Sequence, residues 1–297
     1  MATVYVDTSM GDEDRRSKLY TGDLFTFSAT SSSARLSALA REMSSEAFAP
    51  HDPPAAQDSM PAEDYAAILA DLKPRFIHHP QCKELIRGIF EDLGCETEKT
   101  YFDVPRLRTM AHGQYMSAGL AYQFHPHRDT WFSAPFAQLN WWLPVYEIES
   151  ENSMAFHPRY FDEAVKNSSS IYDYEEWTKT GRQQAAQQVK EETRKQPEAQ
   201  EALELDPQIR VVTPVGGVLI FSAAHLHSTV PNTTTRTRFS IDFRTVNIDD
   251  LRAGIGARNI DSECTGTTLE DFLRATDLAP LPRDIIDAYG ATAVVAS

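Results

Sequence analysis

The chain has 297 residues, 41% of them hydrophobic, which is enough to bury a substantial core. Lys and Arg number 28 against 43 Asp and Glu, a formal charge of −15, and so acidic a surface weighs against a nucleic-acid partner. No stretch approaches the roughly 18 apolar residues of a membrane span, and three scattered cysteines, Cys82, Cys95 and Cys264, fit neither a disulfide framework nor a zinc site.

The opening segment is polar and acidic, without the apolar run of a secretion signal, so a cytoplasmic chain is expected. Residues 1–30 have weak periodicity and predict an irregular lead. From about Ser33 a helix is expected, because Leu36, Leu39, Ala40 and Met43 recur at helical spacing behind capping serines. Pro53 and Pro54 mark a linker. A second helix starts at Pro61, with Tyr65, Ile68, Leu69 and Leu72 as its stripe and Pro74 as its end. A third starts near Pro80, buries Leu85, Ile86, Ile89, Phe90 and Leu93, and stops at Gly94.

Beyond residue 100 the composition turns aromatic and branched. Segments 106–112, 117–129 and 136–148 read as strands. A stretch rich in Gln, Glu, Lys and Ala at 172–205 reads as a helical insertion. Strands resume at 209–214, 216–224 and 236–248, a helix is expected at 268–276, and the tail reads as a loose end. The whole predicts a single catalytic domain, residues 1–297. It comprises an N-terminal helical layer (1–99), an antiparallel β core (100–250) carrying the insertion, and a C-terminal extension (251–297).

Three clusters carry chemistry. In His125-Pro126-His127-Arg128-Asp129, His127 and Asp129 are two apart, so on a strand they share a face. The second cluster holds His225 and His227 just past the buried strand that follows Gly216-Gly217. Two histidines and one carboxylate occupy one face of an octahedron and leave three positions open, the facial triad of non-haem Fe(II) oxygenases. The third cluster is the alternating segment 236–244. Arg238, Ser240, Asp242 and Arg244 share one face, with Phe239, Ile241 and Phe243 on the other. A charged row facing inward must be paired or meet a charged ligand. An arginine there offers a fork to a carboxylate.

Taken together, His127-Arg128-Asp129, then His227 followed by Pro231-Asn232, then Arg238, resemble the phytanoyl-CoA dioxygenase-like branch of the Fe(II)/2-oxoglutarate oxygenases. The resemblance covers residues 105–247. It implies a mainly β fold with helices, a double-stranded β-helix (jelly-roll, cupin-like) core buttressed by the N-terminal helices. It also implies Fe(II), 2-oxoglutarate and O2 as cofactor and cosubstrates, with His127, Asp129 and His227 as catalytic metal ligands and Arg238 on the distal carboxylate of 2-oxoglutarate. His227 is preferred over His225 because it keeps the family spacing. Related halogenases replace the carboxylate ligand with Gly or Ala, so Asp129 favours hydroxylation. Met154–Phe161 departs from the family's Pro-Gly-Ser-His turn, and an acyl-CoA substrate is not implied.

Gln138 and Asn140 are either cosubstrate contacts or core hydrogen bonds. Trp131 is expected to line the pocket. Asp242 and Arg244 either pair with each other or hold a charged group of the substrate, and Arg106 and Arg108 read equally as solvated. His157 reads as a loop residue. The expected partner is a small polar molecule, such as an amino acid or a biosynthetic intermediate, with no nucleic acid, no membrane, and the chain a monomer or homodimer. Two rivals remain: a cupin-type metalloenzyme that does not use 2-oxoglutarate, and a non-catalytic barrel.

Overall fold

A computed structural model describes residues 2–113, 115–116, 125–181 and 196–292. The strand expected at 117–129 lies outside these as far as residue 124, and the middle of the 172–205 insertion also lies outside them.

Two sheets face each other. The larger runs in the order β1 (Val4–Val6), β2 (Leu24–Phe27), β8 (Val218–Ser222), β5 (Leu139–Pro144), β10 (Arg238–Asn247), β3 (Thr100–Phe102) and β11 (Leu273–Arg274), with β4 (Arg106–Met110) also on β10. The smaller sheet has β7 (Ile209–Val211), β6 (Met154–Phe156) and β9 (His227–Thr229), and His127 adds to its edge by bridging His227. Along the chain the core strands switch between sheets: β4 in the large one, His127 in the small one, β5 large, β6 and β7 small, β8 large, β9 small, β10 large. Within the large sheet the core order is β8-β5-β10-β4, all antiparallel. That alternation is a double-stranded β-helix.

The N-terminal helices cover the outer face of the large sheet. Helix α2 (Ser31–Phe48) begins at a capping box in which Thr30 and Ser33 satisfy each other's backbone N–H. Its predicted stripe, Leu36, Leu39, Ala40 and Met43, is buried, as are Leu85, Ile86, Ile89 and Phe90 of α4 (Pro80–Asp92). Phe90 meets Phe243 and Trp141 edge-on at 5.8 and 5.3 Å. Helix α3 (Ala62–Ile77) runs through Pro74. The proline gives up its own N–H, but its carbonyl still accepts from His78 N at 3.0 Å, so the last turn closes.

Three further expectations are corrected. The lead forms β1, helix α1 (Asp12–Tyr20) and β2, which extend the large sheet. Its amphipathic signal is absent because the buried residues of α1 include Arg15 and Arg16. Arg16 Nε donates to Asp250 Oδ2 at 2.7 Å, and Arg15 donates to the Leu93 carbonyl and to Asp12. Paired charge thus replaces apolar surface. The helix expected at 268–276 is a short 3-10 turn, Thr268–Asp271, followed by β11, because the open edge of β3 offers unpaired backbone groups that Leu273 and Arg274 take up. The tail carries a helix, Arg283–Thr292, which buries Ile285 and Ile286. Of the insertion, residues 174–181 are helical and 196–205 irregular. Among the described residues no helix is long and apolar enough to cross a membrane.

Candidate active site

The site lies between the sheets. β8 ends at Ser222, and a tight turn, with His225 N donating to the Ser222 carbonyl, brings the chain into β9. There His227 and His127 exchange backbone N–H···O bonds of 3.0 Å in both directions, and Asp129 N donates to the Ala223 carbonyl at 3.0 Å. His127 and Asp129 are not on one continuous strand, since Asp129 opens a 3-10 turn (Asp129–Phe132). The intervening Arg128 keeps an extended backbone, φ −110° and ψ 142°, so the two side chains still share a side.

One candidate ligand atom from each of His127, Asp129 and His227 lies within 4.8 Å of the others. Asp129 Oδ1 is 3.5 Å from His127 Nε2 and 3.9 Å from His227 Nε2. Each histidine uses its other nitrogen in the same way: Nδ1 of His127 is 2.8 Å from the His125 carbonyl, and Nδ1 of His227 is 3.0 Å from the His225 carbonyl. A carbonyl only accepts, so both Nδ1 atoms carry the hydrogen. Whenever such a ring is neutral, its Nε2 keeps the lone pair that a metal ion could take. Burial, then the neighbouring His127, push the His227 pKa down to about 3, so it is a neutral donor at ordinary pH. Burial opposes ionisation of Asp129, but the groups around it, His127 and the charged Arg244 foremost, outweigh that and hold the carboxyl well below the usual carboxylate range.

The second oxygen of Asp129 is held from behind. Asn140 Nδ2 donates to Oδ2 at 3.0 Å, Gln138 Nε2 reaches it at 3.4 Å, and Arg244 Nε lies 3.5 Å away. Gln138 is fully buried and also donates to Asn140 Oδ1 at 2.9 Å. The two amides therefore orient the carboxylate, and Gln138 does not line the cavity. Arg244 also pairs with Asp103, at 3.3 Å, while the ion-pair partner of Asp242 is Arg108.

A cavity of about 110 Å³ opens from the triad. Its wall includes Asn140, Arg244, Asp242, Arg108 and Arg238, with Trp142, Met154 and Phe221 supplying apolar surface. Asp242 is bound by Arg108, with Nε at 2.6 Å from Oδ1, and this partly exposed pair forms one side of the cavity. Arg238 is 6% exposed, and its Nη1 donates to the carbonyls of Asn152 and Ser153 at 3.1 and 3.2 Å while its guanidinium lies over Trp142. Among the described residues it has no carboxylate within ion-pair distance, and its buried Nε has no acceptor. Burial lowers its pKa to about 10, which still leaves it charged at neutral pH.

Trp131 is not at the cavity. Its indole is fully buried with Tyr160, Val165 and Leu226, and Nε1 donates to Asp261 at 2.7 Å, because the 3-10 turn after Asp129 swings it to the opposite side. His225 Nε2 donates to the Gly22 carbonyl at 2.8 Å, and this histidine stays out of the triad. His157 is buried between the Leu205 carbonyl and the Ser228 hydroxyl, 3.0 Å from each. Arg108, which reads from the sequence as solvated, instead pairs with Asp242 at the cavity, and Asp103 and Asp261 beside the site carry no mark in the sequence. The alternation of Arg106 and Arg108 on a strand that pairs with β10 is the signal for the first.

No protein-family model matches the sequence, and no curated protein matches it. Among solved structures, the chain is similar to EvdO2 from Micromonospora carbonacea var. aurantiaca complexed with 2-oxoglutarate, with TM-score 0.45 and 12% identity, covering 80% of this chain and 91% of that one. It is also similar to the non-heme monooxygenase ThoJ, with TM-score 0.43 and 13% identity over 77% and 75% of the two chains. A third is the non-heme alpha ketoglutarate dependent epimerase SnoN from nogalamycin biosynthesis, with TM-score 0.33 and 16% identity, where the match spans 61% of this chain and 59% of that one.

Proposed function

We propose that this chain is an Fe(II)- and 2-oxoglutarate-dependent oxygenase acting on a small polar molecule. The observation that carries the reading is that one cavity joins a His-Asp-His triad to Arg238, a buried guanidinium without a carboxylate partner among the described residues. Two imidazoles and one carboxylate suit a first-row divalent ion that keeps open positions, whereas magnesium and calcium sites are built from oxygen and a structural zinc site closes with a fourth protein ligand. The orphaned Arg238 Nε fits an anionic end such as the far carboxylate of a keto diacid.

In this reading His127, Asp129 and His227 would hold the metal. Asn140 and Arg244 keep Oδ2 of Asp129 engaged, so Oδ1 is the ligand atom. Arg238 binds the distal carboxylate of 2-oxoglutarate and thereby aims its keto-acid end toward the triad. Trp142, Met154 and Phe221 limit water on the apolar side of the cavity. When bound there, iron would supply the redox chemistry that activates O2 and couples decarboxylation of the keto acid to oxidation of a substrate C–H bond. With Asp129 in place, hydroxylation is favoured over halogenation. The Arg108–Asp242 pair faces the remaining space, which suits a substrate with charged or strongly polar groups.

The test is an anaerobic titration with Fe(II) and then 2-oxoglutarate, followed by visible absorption. A charge-transfer band is expected on keto-acid addition, absent in His227→Ala. Arg238→Ala is expected to weaken 2-oxoglutarate binding by roughly 30-fold or more, about 2 kcal/mol. Iron uptake without a band would favour the cupin-type reading. No iron uptake would leave a non-catalytic barrel.

A further inference from the structure

Arg128 sits between two triad residues in sequence, yet its side chain points away from them into the protein and is 1% exposed. Its Nη1 donates to the Ala224 carbonyl at 2.6 Å, and its Nη2 donates to the carbonyls of Tyr160 and Glu163. Its Nε donates to Asp261 Oδ2 at 3.1 Å. Asp261 lies in the C-terminal extension, beyond the core strands, and its carboxylate is 5% exposed. The same carboxylate accepts from Trp131 Nε1 at 2.7 Å and from Val165 N at 2.9 Å. One buried carboxylate therefore fixes residues 128, 131 and 165, and through Arg128 it reaches the 223–227 turn.

That turn carries the third triad residue. Ala223 O accepts from Asp129 N, Ala224 O accepts from Arg128, and His225 O accepts from His227 Nδ1. The two ligand-bearing segments are thus joined on the inner side by the His127–His227 backbone pair and on the outer side by the Arg128 guanidinium. Asp261 is the only carboxylate ion-paired with Arg128 among the described residues. Without it, a buried cation would face three carbonyls with no counter-charge, and the cheapest relief is for Arg128 to withdraw toward solvent. Withdrawal would release Ala224 and drag the backbone on which His127 and Asp129 stand.

We propose that Asp261 is a positioning residue for the metal centre, acting through Arg128 to hold the 127–129 and 223–227 segments at chelating distance. This rests on the reading of His127, Asp129 and His227 as a metal site. It places a determinant of metal affinity in the C-terminal extension, outside the barrel and outside the cavity.

The test is equilibrium titration of the full-length protein with Co(II), which reports its coordination geometry by visible absorption without turnover. Asp261→Asn is expected to weaken Co(II) binding by roughly 10- to 100-fold, the range seen when groups supporting metal ligands are removed, and to alter the spectrum at saturation. Asn167→Ala is the companion variant. It breaks the bonds from Asn167 Nδ2 to the Asp261 and Val165 carbonyls, 2.8 and 2.9 Å, and the one its Oδ1 accepts from Ser169 N, but removes no group bonded to the Asp261 carboxylate or to Arg128, so it is expected to bind Co(II) as the parent does. If Asp261→Asn binds like the parent, or loses no more affinity than Asn167→Ala, the proposal is overturned while the metal site stands. If the parent itself takes up no Co(II), the metal reading fails and this inference with it. Should Asp261→Asn not fold, the double variant Arg128→Met, Asp261→Leu removes both charges together. Weakened Co(II) binding in that variant supports the proposal, and parental binding overturns it.

Discussion

On β10, Phe239 and Ile241 point to the helical layer and are fully buried, with Phe239 edge-on to Phe48 at 6.0 Å and beside Tyr146 at 5.5 Å. Arg238, Asp242 and Arg244 occupy the alternate positions and line the cavity, each engaged by a different set of groups. The period of two in a strand puts these demands one residue apart. The apolar face contributes stability through area and close packing. The charged face contributes little to stability, because every charge there has to recover its desolvation from a partner. Substitutions on the two faces should therefore separate stability from ligand binding.

The largest effect should come from the apolar face. Phe239→Ala removes a buried ring and is expected to cost about 3–5 kcal/mol of unfolding free energy, measured by urea denaturation. The folded fraction should still bind metal with parental affinity. A loss of metal affinity larger than the loss of folded protein would show that the two faces are coupled after all. An intermediate effect is expected beside the triad. Asn140→Ala withdraws the 3.0 Å donor from Asp129 Oδ2, and Co(II) affinity should fall by roughly 10-fold or more with a stability change under about 2 kcal/mol. Unchanged affinity would mean that Gln138 and Arg244 suffice to orient the carboxylate.

The smallest effect concerns pH. Burial lowers the pKa of His157 below the 6.5 of a free imidazole. The unfolded chain therefore takes up a proton as pH falls through 6.5 while the folded chain does not. This contribution to stability is full above the unfolded value and is lost as pH falls toward and through the folded one. The slope is at most about 1.4 kcal/mol per pH unit for this one group. In metal-free protein, urea midpoints between about pH 7.5 and pH 5 should fall less steeply for His157→Gln than for the parent. Equal slopes would remove His157 from the acid response.

The interior helices were legible because their buried faces are apolar and periodic: Leu36 to Met43 and Leu85 to Phe90 read directly as stripes. Helix α1 was not, since its buried residues include two arginines, and a charge looks solvated until its partner, here Asp250 some 234 residues away, is known. The 3-10 turn at Thr268–Asp271 resembles a helix in sequence because the short apolar cluster Leu269, Phe272 and Leu273 suits both, and only the open edge of β3 decides between them. Of the candidate site, the triad was legible from residue type and spacing. Its support was not: whether Asn140 faces a ligand or Asp129, and whether Arg244 pairs with Asp242 or with Asp103, depends on which strands lie next to β10.

The sequence by itself determined the order of the chemistry, His127 and Asp129, then His227, then Arg238, together with the alternation that puts apolar and charged residues on opposite faces of β10. Those are properties of neighbours along the chain, set by residue type and by the backbone repeat. Only the tertiary structure decided that Trp131 turns away from the cavity, that Asp242 belongs to Arg108, and that Asp261 in the C-terminal extension sits against Arg128. Each of these is a choice between distant partners. Such choices are made by strand order and by the burial cost of an unpaired charge, and neither is written in any local stretch of residues.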